Sequence, residues 1–386
     1  MKDTVFVQFK ADSNLTTDGM AYRLTTCLHN GFSNTHHICK EFGDMVWVDS
    51  DEMDLPDVHG TIYISALFHR ELIKCLEWAK HHPQAHLIIG GPAVWARGYC
   101  FEESVPPNVE LYKGTVEEFF GCGASKEWDI ELPTSENNYY LFSYTTARRC
   151  YWRRCNFCSY PKYSDLYARG LDGLHIPDTK TQLSVWFASH CLSPEFIANE
   201  FSKLPNINGR YFGFVRADDA VLGVLEKALQ VVNRDADGKS LIRLCFGVEC
   251  PSDRMLQWMD KGTTVDNLLK ITDLLVKYDC PFTFSLIEGW TNLEASDVQK
   301  VQEFCYKINS LMDRKLRVRL NPLSLVDCQD ADSIVLFKRG GFKYVLQSPR
   351  LNGIQRKLNE ELRKIYEESF LIEYFPLEAE NTNVRT

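Results

Sequence analysis

The sequence lacks several features that mark whole classes of protein. No apolar run approaches the about 20 residues that a membrane helix needs. It has no basic tail and no lysine run, and 43 basic residues against 52 acidic ones give a net charge of -9. Residues 1–4 lack the apolar core of a secretory signal. We therefore expect a cytoplasmic protein that binds neither membranes nor, through a general basic surface, nucleic acid.

Cysteine, by contrast, is plentiful, with 14 residues in a chain of 386. Without a secretory signal these are expected to be free thiols in a reducing compartment. Three of them, Cys150, Cys155 and Cys158, follow a strand-forming run with the spacing C-x4-C-x2-C. Arginines precede the first cysteine and separate it from the second. Cationic neighbours of this kind stabilise thiolates and the anionic metal clusters that thiolates bind.

The triplet predicts a [4Fe–4S] cluster, because three thiolates on one tight loop can hold three of its irons. No fourth ligand follows nearby, which leaves one iron open for a small molecule, as catalytic metal sites require. A zinc knuckle is a second interpretation, although the nearest candidates for a fourth ligand, His175 and Cys191, lie at irregular distances. The same cysteines could also form a disulfide with one thiol left over, or be buried structural thiols.

Alternating strand and helix patterns predict an α/β fold in two parts. Residues 1–121 are predicted to form a small, doubly wound Rossmann-like domain that binds a ligand at the carboxyl ends of its strands. Residues 122–138, rich in Gly, Ser, Glu and Pro, are expected to be a linker. Residues 139–340 contain about six β/α units and predict a partial (β/α)6 TIM-type barrel. Residues 341–386 are expected to form a helical extension, with its helix at 355–370, and a polar tail.

The cysteine loop resembles the cluster loop of radical S-adenosylmethionine (radical SAM) enzymes. That family usually reads C-x3-C-x2-C with an aromatic residue before the last cysteine, a place that Phe157 fills here. The present loop has one extra residue between its first two cysteines. A second stretch, residues 246–264 (FGVECPSDRMLQWMDKGTT), resembles the family's G-V-E-S-x-S-D-x-x-L-x-x-M-x-K-G.

This resemblance implies a binding site for S-adenosylmethionine. Phe157 would lie against the adenine, and backbone groups near Tyr160 would bond its edge. Glu249, at the end of a predicted strand, would bond the ribose hydroxyls. Arg216 or Lys261 would pair with the methionyl carboxylate. A solvent-exposed charge is the alternative for Arg216 and Lys261, and a surface or salt-bridged glutamate is the alternative for Glu249.

The first domain resembles the cobalamin-binding domain that precedes many radical SAM cores. The family's Gly-Gly-Pro turn corresponds to Gly90 and Gly91, its Gly-Glu-Gly-Glu-like stretch to the segment around Gly114, and a small hydroxyl residue to Ser65. The D-x-H-x-x-G motif, whose histidine ligates cobalt in many cobalamin proteins, is absent from the sequence. A domain that has lost its cofactor, and a plain tight turn at the glycines, are the competing interpretations.

Taken together, the resemblance implies a radical SAM enzyme that cleaves S-adenosylmethionine to a 5′-deoxyadenosyl radical. Cobalamin-dependent C-methylation of a peptide or small natural-product precursor is the leading hypothesis, with an electron donor such as flavodoxin or ferredoxin as partner. An epimerase, cyclase or rearrangement enzyme is a rival hypothesis, and a non-catalytic iron–sulfur sensor or scaffold is a second rival. A methylthiotransferase is disfavoured, because the first domain has no second cysteine triplet. The candidate substrate-pocket residues are Trp186, His190, Tyr211, Trp290 and Asn321, and a packing role is the alternative for each.

Overall fold

The fold is given by a computed structural model, which describes residues 4–10, 42–49, 53, 55–56, 60–66, 69–91, 94, 105–114, 116–121, 130–134, 139–144, 146–147, 150–157, 170–172, 174, 182–187, 189, 191–312, 315–322, 335–339, 342–346 and 351–374. The chain forms two compact units. The first comprises Met1–Arg149, Lys162–His190 and Leu336–Val345, and the second comprises Cys150–Pro161, Cys191–Val335 and Leu346–Thr386.

Five parallel strands open the first unit. They are β1 (Thr4–Lys10), β2 (Asp44–Asp49), β3 (Thr61–Ser65), β4 (His86–Gly90) and β5 (Val109–Leu111), in the spatial order β2-β1-β3-β4-β5. Their sequences are short apolar runs, as expected of strands that are buried on both faces of a parallel sheet. The sequence predicts all five strands to within two residues at each end.

Both faces of this sheet are covered. On one face, helix α1 (His69–His81) packs its buried side chains with the sheet residues of one apolar cluster, among them Val5, Val7, Ile62, Ile64, Leu87, Ile89, Leu72, Cys75 and Leu76. On the other, Phe6 is fully buried and stacks on Tyr63 at a centroid distance of 4.9 Å. Phe120, the last residue of the short helix α2 (Val116–Phe120), packs against both rings. The predicted helix at residues 18–30 lies outside the described residues.

The segment predicted to be a linker contains a strand that the sequence pattern did not indicate. Strand β6 (Ile130–Thr134) pairs antiparallel with β7 (Tyr139–Tyr144), and β7 pairs parallel with β8 (Gln182–Phe187). Strand β6 lies at the end of its sheet. Pro133 favours a loop in the sequence, but an edge strand tolerates proline because one side of its backbone needs no partner in the sheet.

The second unit alternates helices and parallel strands. Its elements are α3 (Pro194–Glu200), β9 (Gly209–Val215), α4 (Asp219–Val231), β10 (Ile242–Glu249), α5 (Asp253–Trp258), α6 (Val265–Lys277), β11 (Phe282–Glu288), α7 (Ala295–Leu311) and β12 (Arg317–Pro322). Strands β9 to β12 are neighbours in chain order and all parallel. Parallel neighbours bring their carboxyl ends to one edge, where Arg216 follows β9 and Glu249 ends β10.

Helix starts in this unit are set by side-chain caps. The sequence predicts that helix α4 begins near residue 223, but it begins at Asp219 because the Asp218 carboxylate accepts a hydrogen bond from the Val221 backbone. Thr264 caps α6 in the same way, through the Asn267 backbone. Such caps satisfy backbone donors that the helix itself leaves without partners.

The C-terminal part of the chain contains more than the predicted helix. Strands β13 (Val335–Arg339) and β14 (Phe342–Leu346) pair with each other. Helix α8 (Gly353–Ser369) is confirmed to within two residues, but it is followed by β15 (Leu371–Tyr374), which pairs parallel with β12. A segment of four residues gives too weak a pattern to separate β15 from a polar tail.

The fold is thus α/β, with parallel sheets, as predicted. In the part of the chain that the structure describes, no helix combines the length and apolar character needed to cross a bilayer.

Candidate functional site

The cysteine loop lies in the second unit, beside the edge where β9 and β10 end. Cys150 and Cys155 are both partly buried and neither forms a disulfide. The third predicted ligand, Cys158, and the predicted adenine neighbour Tyr160 lie outside the described residues. Among the residues that are described, no three Cys, His, Asp or Glu side chains converge to hold a metal ion.

The loop is fastened to the turn formed by residues 258–262, within the second motif identified in the sequence. The Asn156 backbone donates to the Met259 carbonyl at 3.1 Å, and its side chain donates to the Trp258 carbonyl at 2.5 Å. The Trp152 indole donates to the Asp260 carbonyl at 2.6 Å. These partners are about a hundred residues apart, so the two motifs found in the sequence form one structural element.

Gly262 allows this contact. Its φ of +65° is in the left-handed region, and a Cβ built there would lie 2.0 Å from the Trp152 ring. A side chain at this position would be both strained and excluded by the indole. The glycine of the motif is therefore required by the approach of the cysteine loop.

The surroundings of Cys150 favour its thiolate. A hydrogen bond from the Cys191 thiol lowers the pKa of Cys150 to about 5, with help from the Arg153 and Trp152 backbone and against the effect of burial. Burial keeps the pKa of Cys191 itself well above its usual range. In the sequence Cys191 is only a distant candidate for a zinc ligand, whereas the fold brings it to the side of the first loop cysteine.

Arg216 joins the loop to the strand edge. It is 5% exposed, forms an ion pair with Asp218 at 2.9 Å, and donates a hydrogen bond to the Cys155 sulfur at 3.5 Å. It also donates to the Lys261 carbonyl, and its guanidinium lies 4.7 Å from the Trp152 ring centroid. Burial alone would lower the pKa of Arg216, but the negative charge of Cys155 and the Asp218 hydrogen bond raise it above its ordinary value.

Glu249 and Lys261 form a buried ion pair with an N–O distance of 2.6 Å. Neither is a solvated surface charge, since they are 7% and 5% exposed. Burial would lower the pKa of Lys261, but the charge of Glu249 keeps it above its usual value. Within a buried pair each charge is needed to compensate the other.

The backbone at Glu249 is unusual. Its φ is +63°, and the pairing of β10 with β11 shifts register between Gly247 and Glu249. A Cβ at Gly247 would lie 2.5 Å from the Glu249 carboxylate. Non-glycine residues in this region, and β-bulges, are concentrated at functional sites, where surrounding contacts hold the strained conformation.

Phe157 lies beside this pair. Its ring centroid is 5.6 Å from the Lys261 ammonium and 6.1 Å from the Trp290 ring, which it meets edge-on. Trp290, a predicted pocket residue, is fully buried and donates its indole hydrogen to the Ile287 carbonyl. Trp290 is therefore a packing residue that supports Phe157.

The remaining predicted pocket residues do not form a described pocket. Tyr211 lies near the start of β9, fully buried, and donates its hydroxyl hydrogen to the Pro205 carbonyl, so it is not at the carboxyl edge. Trp186 is buried within β8. Asn321 lies in β12, where its side chain is not described, and His190 lies outside the described residues.

In the first unit, the predicted cobalamin residues share one edge. Ser65 and Gly90 are the final residues of β3 and β4 and are paired in register, and Gly114 follows β5. Gly91 has a φ of +93°, and a Cβ there would lie 2.6 Å from the Ala66 carbonyl. The chain's own packing thus accounts for Gly91, whereas a Cβ at Gly90 would make only ordinary contact, 3.5 Å from the Tyr112 carbonyl.

Sequence reasoning missed several residues that hold the site together. Asp218 accepts from Arg216 and, at 2.7 Å, from the Tyr151 hydroxyl. Trp152 contributes both its indole bond and its stacking face. Two signals for these residues were available in the sequence. Asp218 is an acidic residue before a predicted helix, and Tyr151 and Trp152 are adjacent aromatic residues between the cysteines.

The described residues suit a thiolate-bound cluster. The thiol and backbone donors around Cys150 favour its thiolate. The Cys155 sulfur accepts a hydrogen bond from the buried Arg216 guanidinium. Such donors to cysteine sulfur are also what tunes iron–sulfur clusters.

No family model and no curated protein matches the sequence. Solved structures do share its architecture. Two structures of the radical SAM methyltransferase TsrM from Kitasatospora setae align with 98% and 97% of this chain and 93% and 91% of TsrM, with TM-scores of 0.55 and 0.56 and 10% identity. One contains cobalamin and a [4Fe–4S] cluster, and the other contains tryptophan substrate and a SAM analogue.

The chain has the fold of cobalamin-dependent radical SAM enzymes. A structure of one such enzyme, OxsB, with aqua-cobalamin and S-adenosylmethionine bound, covers 96% of this chain with a TM-score of 0.51 and 12% identity. The present chain spans 58% of the length of OxsB. At these identities the likeness concerns the fold, and this is the fold that the resemblance of the cysteine loop and residues 246–264 implies.

Proposed function

We propose that the protein is a radical SAM enzyme whose Cys150, Cys155 and Cys158 hold three irons of a [4Fe–4S] cluster. The observation that carries this proposal is the attachment of the cysteine loop to the 258–262 turn. The cysteine loop and residues 246–264, which each resemble the family in sequence, meet in one site. Beside them the buried Arg216 donates a hydrogen bond to the Cys155 sulfur. When bound, the cluster and S-adenosylmethionine supply a 5′-deoxyadenosyl radical that removes hydrogen from a substrate carbon.

The side chains of the site bind and orient S-adenosylmethionine in this proposal. Phe157 would lie against the adenine, with backbone groups near Tyr160 bonding its edge. Lys261 binds one carboxylate oxygen of Glu249, and the other would accept from the ribose hydroxyls. Arg216 was a candidate for the methionyl carboxylate, but its bonds to Asp218, Cys155 and Lys261 direct it toward the protein. We assign the methionyl carboxylate to Lys261 instead, because its ammonium has three N–H donors and the bond to Glu249 uses one of them.

We also propose a division of the chain into domains. Residues 1–121 are assigned to a doubly wound, cobalamin-binding domain, 122–138 to its connection, 139–340 to a partial (β/α)6 barrel and 341–386 to a C-terminal extension. Coverage of the sheet of the first unit on both faces supports the doubly wound assignment. Ser65, Gly90, Gly91 and Gly114 are assigned to cobalamin because they share one strand edge.

We infer that the reaction is cobalamin-dependent C-methylation of a peptide or small-molecule substrate, with flavodoxin or ferredoxin as the electron donor. Cobalamin would supply the methyl group. The support is the alignment with a methyltransferase over nearly the full length of both chains. The test below separates this reaction from that of an epimerase, cyclase or rearrangement enzyme, and from a non-catalytic iron–sulfur sensor.

The test is anaerobic reconstitution of the full chain. We expect about four irons and four sulfides per chain, a bound corrinoid, and, on reduction with S-adenosylmethionine, S-adenosylhomocysteine from methyl transfer together with 5′-deoxyadenosine. 5′-Deoxyadenosine without S-adenosylhomocysteine would favour the epimerase, cyclase or rearrangement enzyme. Cys155→Ala should abolish cluster absorption, whereas Cys305→Ala, a buried cysteine on α7, should retain it. A cluster without S-adenosylmethionine turnover would favour the sensor, and an unaltered cluster in Cys155→Ala would refute the proposal.

A further inference from the structure

Arg216 stands out among the charged residues of the second unit because its three guanidinium nitrogens are all engaged by the protein. Nε donates to Asp218 at 2.9 Å, Nη1 to the Cys155 sulfur at 3.5 Å, and Nη2 to the Lys261 carbonyl. The residue is 5% exposed. An arginine that binds a substrate carboxylate in bidentate fashion needs two nitrogens directed at it, and here the fork is directed at the protein.

The flat faces of the guanidinium are also restricted. Its carbon lies 4.7 Å from the Trp152 ring centroid and 5.9 Å from that of Tyr151. Tyr151 in turn donates to the same Asp218 oxygen that receives Arg216 Nε. Asp218 is itself fixed as the cap of α4. Arg216 is therefore held rigidly, and its charge cannot move away from the cysteine loop.

We propose that Arg216 is a positioning residue for the metal centre: it fixes Cys155 by a hydrogen bond and stabilises the reduced cluster by its charge. The inference rests on the proposed function, because Cys155 must be a cluster ligand. Adding an electron makes a thiolate-bound cluster more negative, and a fixed cation with a donor on a ligand sulfur stabilises that state. The reduction potential of the cluster is thereby raised.

Asp218 does not cancel this effect. Its carboxylate accepts from Nε, whereas Nη1 donates to the sulfur, so the nitrogen that contacts the ligand is not the one that the acid binds. Its role is to fix the direction of the guanidinium. Lys261, a second buried cation of the site, is paired with Glu249 at 2.6 Å.

The experiment compares reconstituted full-length protein with Arg216→Gln and Arg216→Lys by redox titration, followed by absorption and electron paramagnetic resonance. For Arg216→Gln we expect the ratio of reduced to oxidised cluster at a fixed potential to fall about tenfold, which is about 59 mV for a one-electron couple. Arg216→Lys keeps the charge, so its reduction potential should lie between those of Arg216→Gln and the parent protein. Binding of S-adenosylmethionine should be unchanged within about twofold in both.

Arg154→Gln is the matched control. The Arg154 guanidinium carbon also lies close to the Trp152 ring, 4.9 Å from its centroid, and the residue pairs with Asp260, but its side chain is 63% exposed. This variant should leave the potential unchanged, because solvent screens the charge of Arg154.

Unchanged potentials in both Arg216 variants would overturn the inference, as would loss of S-adenosylmethionine binding at an unchanged potential. If the variants lose iron but keep the parent's melting temperature, the result supports the role of Arg216 in positioning Cys155. If both variants lose the fold, the result counts against that role. A parent protein that binds no cluster would instead refute the proposed function.

Discussion

The carboxyl ends of the parallel strands carry opposite kinds of residue in the two units. In the second unit, the ends of β9 and β10 carry Arg216 and Glu249, both buried and paired with other charges. In the first unit, the ends of β3 and β4 carry Ser65 and Gly90. Buried charges are costly and persist where partners hold them, so the charges of the first edge are held in fixed positions. Small residues indicate close approach, by a ligand or by the chain itself.

The largest effect is expected from breaking the buried pair of the charged edge. Lys261→Met leaves the Glu249 carboxylate buried without its cation, and should lower the free energy of unfolding by about 3–5 kcal/mol. Adding Glu249→Gln should restore most of that loss. Urea denaturation measures both.

The control for that experiment is Lys277→Met, which breaks an exposed pair with Glu226 and should give no measurable change. If Lys261→Met and Lys277→Met behave alike, the charged edge is not preorganised and the contrast between the two edges disappears.

A smaller loss is expected where the cysteine loop meets the second motif. Gly262→Ala places a methyl group on the Trp152 ring, whereas Gly238→Ala meets nothing within 4 Å, and both glycines are left-handed, with φ of +65° and +76°. Gly262→Ala should therefore cost about 1–3 kcal/mol more than Gly238→Ala, the usual range for overpacking. Thermal unfolding gives the difference, and tryptophan fluorescence reports displacement of the indole. Equal losses would mean that the loop is not fastened at this turn.

The Cys150 thiol should be unusually reactive in the cluster-free protein. Because the pKa of Cys150 is lowered from 9.0 to about 5, its thiolate should persist at neutral pH, and its alkylation rate should fall only near pH 5. The lowered pKa of Cys150 also contributes to the free energy of unfolding. This contribution is complete above pH 9, declines as the pH falls and is lost below about pH 5. Peptide mapping after iodoacetamide treatment at several pH values measures the rate. Urea-unfolded protein is the control, and a folded-state rate that already falls near pH 9 would contradict the lowered pKa.

The smallest effect on stability is expected at the glycine edge. A Cβ at Gly90 would make only ordinary contact, so Gly90→Ala should change the unfolding free energy by less than about 0.5 kcal/mol. If the edge binds cobalamin, corrinoid affinity should nonetheless fall at least tenfold, as equilibrium dialysis would show. Gly121→Ala, which meets nothing within 4 Å, is the control for binding. Unchanged affinity in Gly90→Ala would show that this edge serves packing alone.

Much of the strand and helix pattern was predictable because apolar periodicity is local. Strands β1 to β5 and β9 to β12 were found within two residues of the boundaries predicted from the sequence. The failures have local causes too. Strand β6 was hidden by Pro133, and β15 was too short to show a period.

For the site, the sequence predicted which residue types matter better than what they touch. Arg216, Glu249 and Lys261 were predicted as separate ligand contacts, and the fold places the three residues in one region. In the fold, Glu249 and Lys261 bind each other, and Arg216 binds the loop. Their roles toward S-adenosylmethionine remain predictions.

The sequence alone determined the α/β alternation, the cysteine triplet and the family resemblance, since each depends on residues that are close in the chain. The tertiary structure decided which charges are buried and which partner each one has. Arg216 and Cys155 are 61 positions apart, and Trp152 and Asp260 are 108 apart. Contacts over such separations depend on how the strands and loops pack, and no local pattern specifies them.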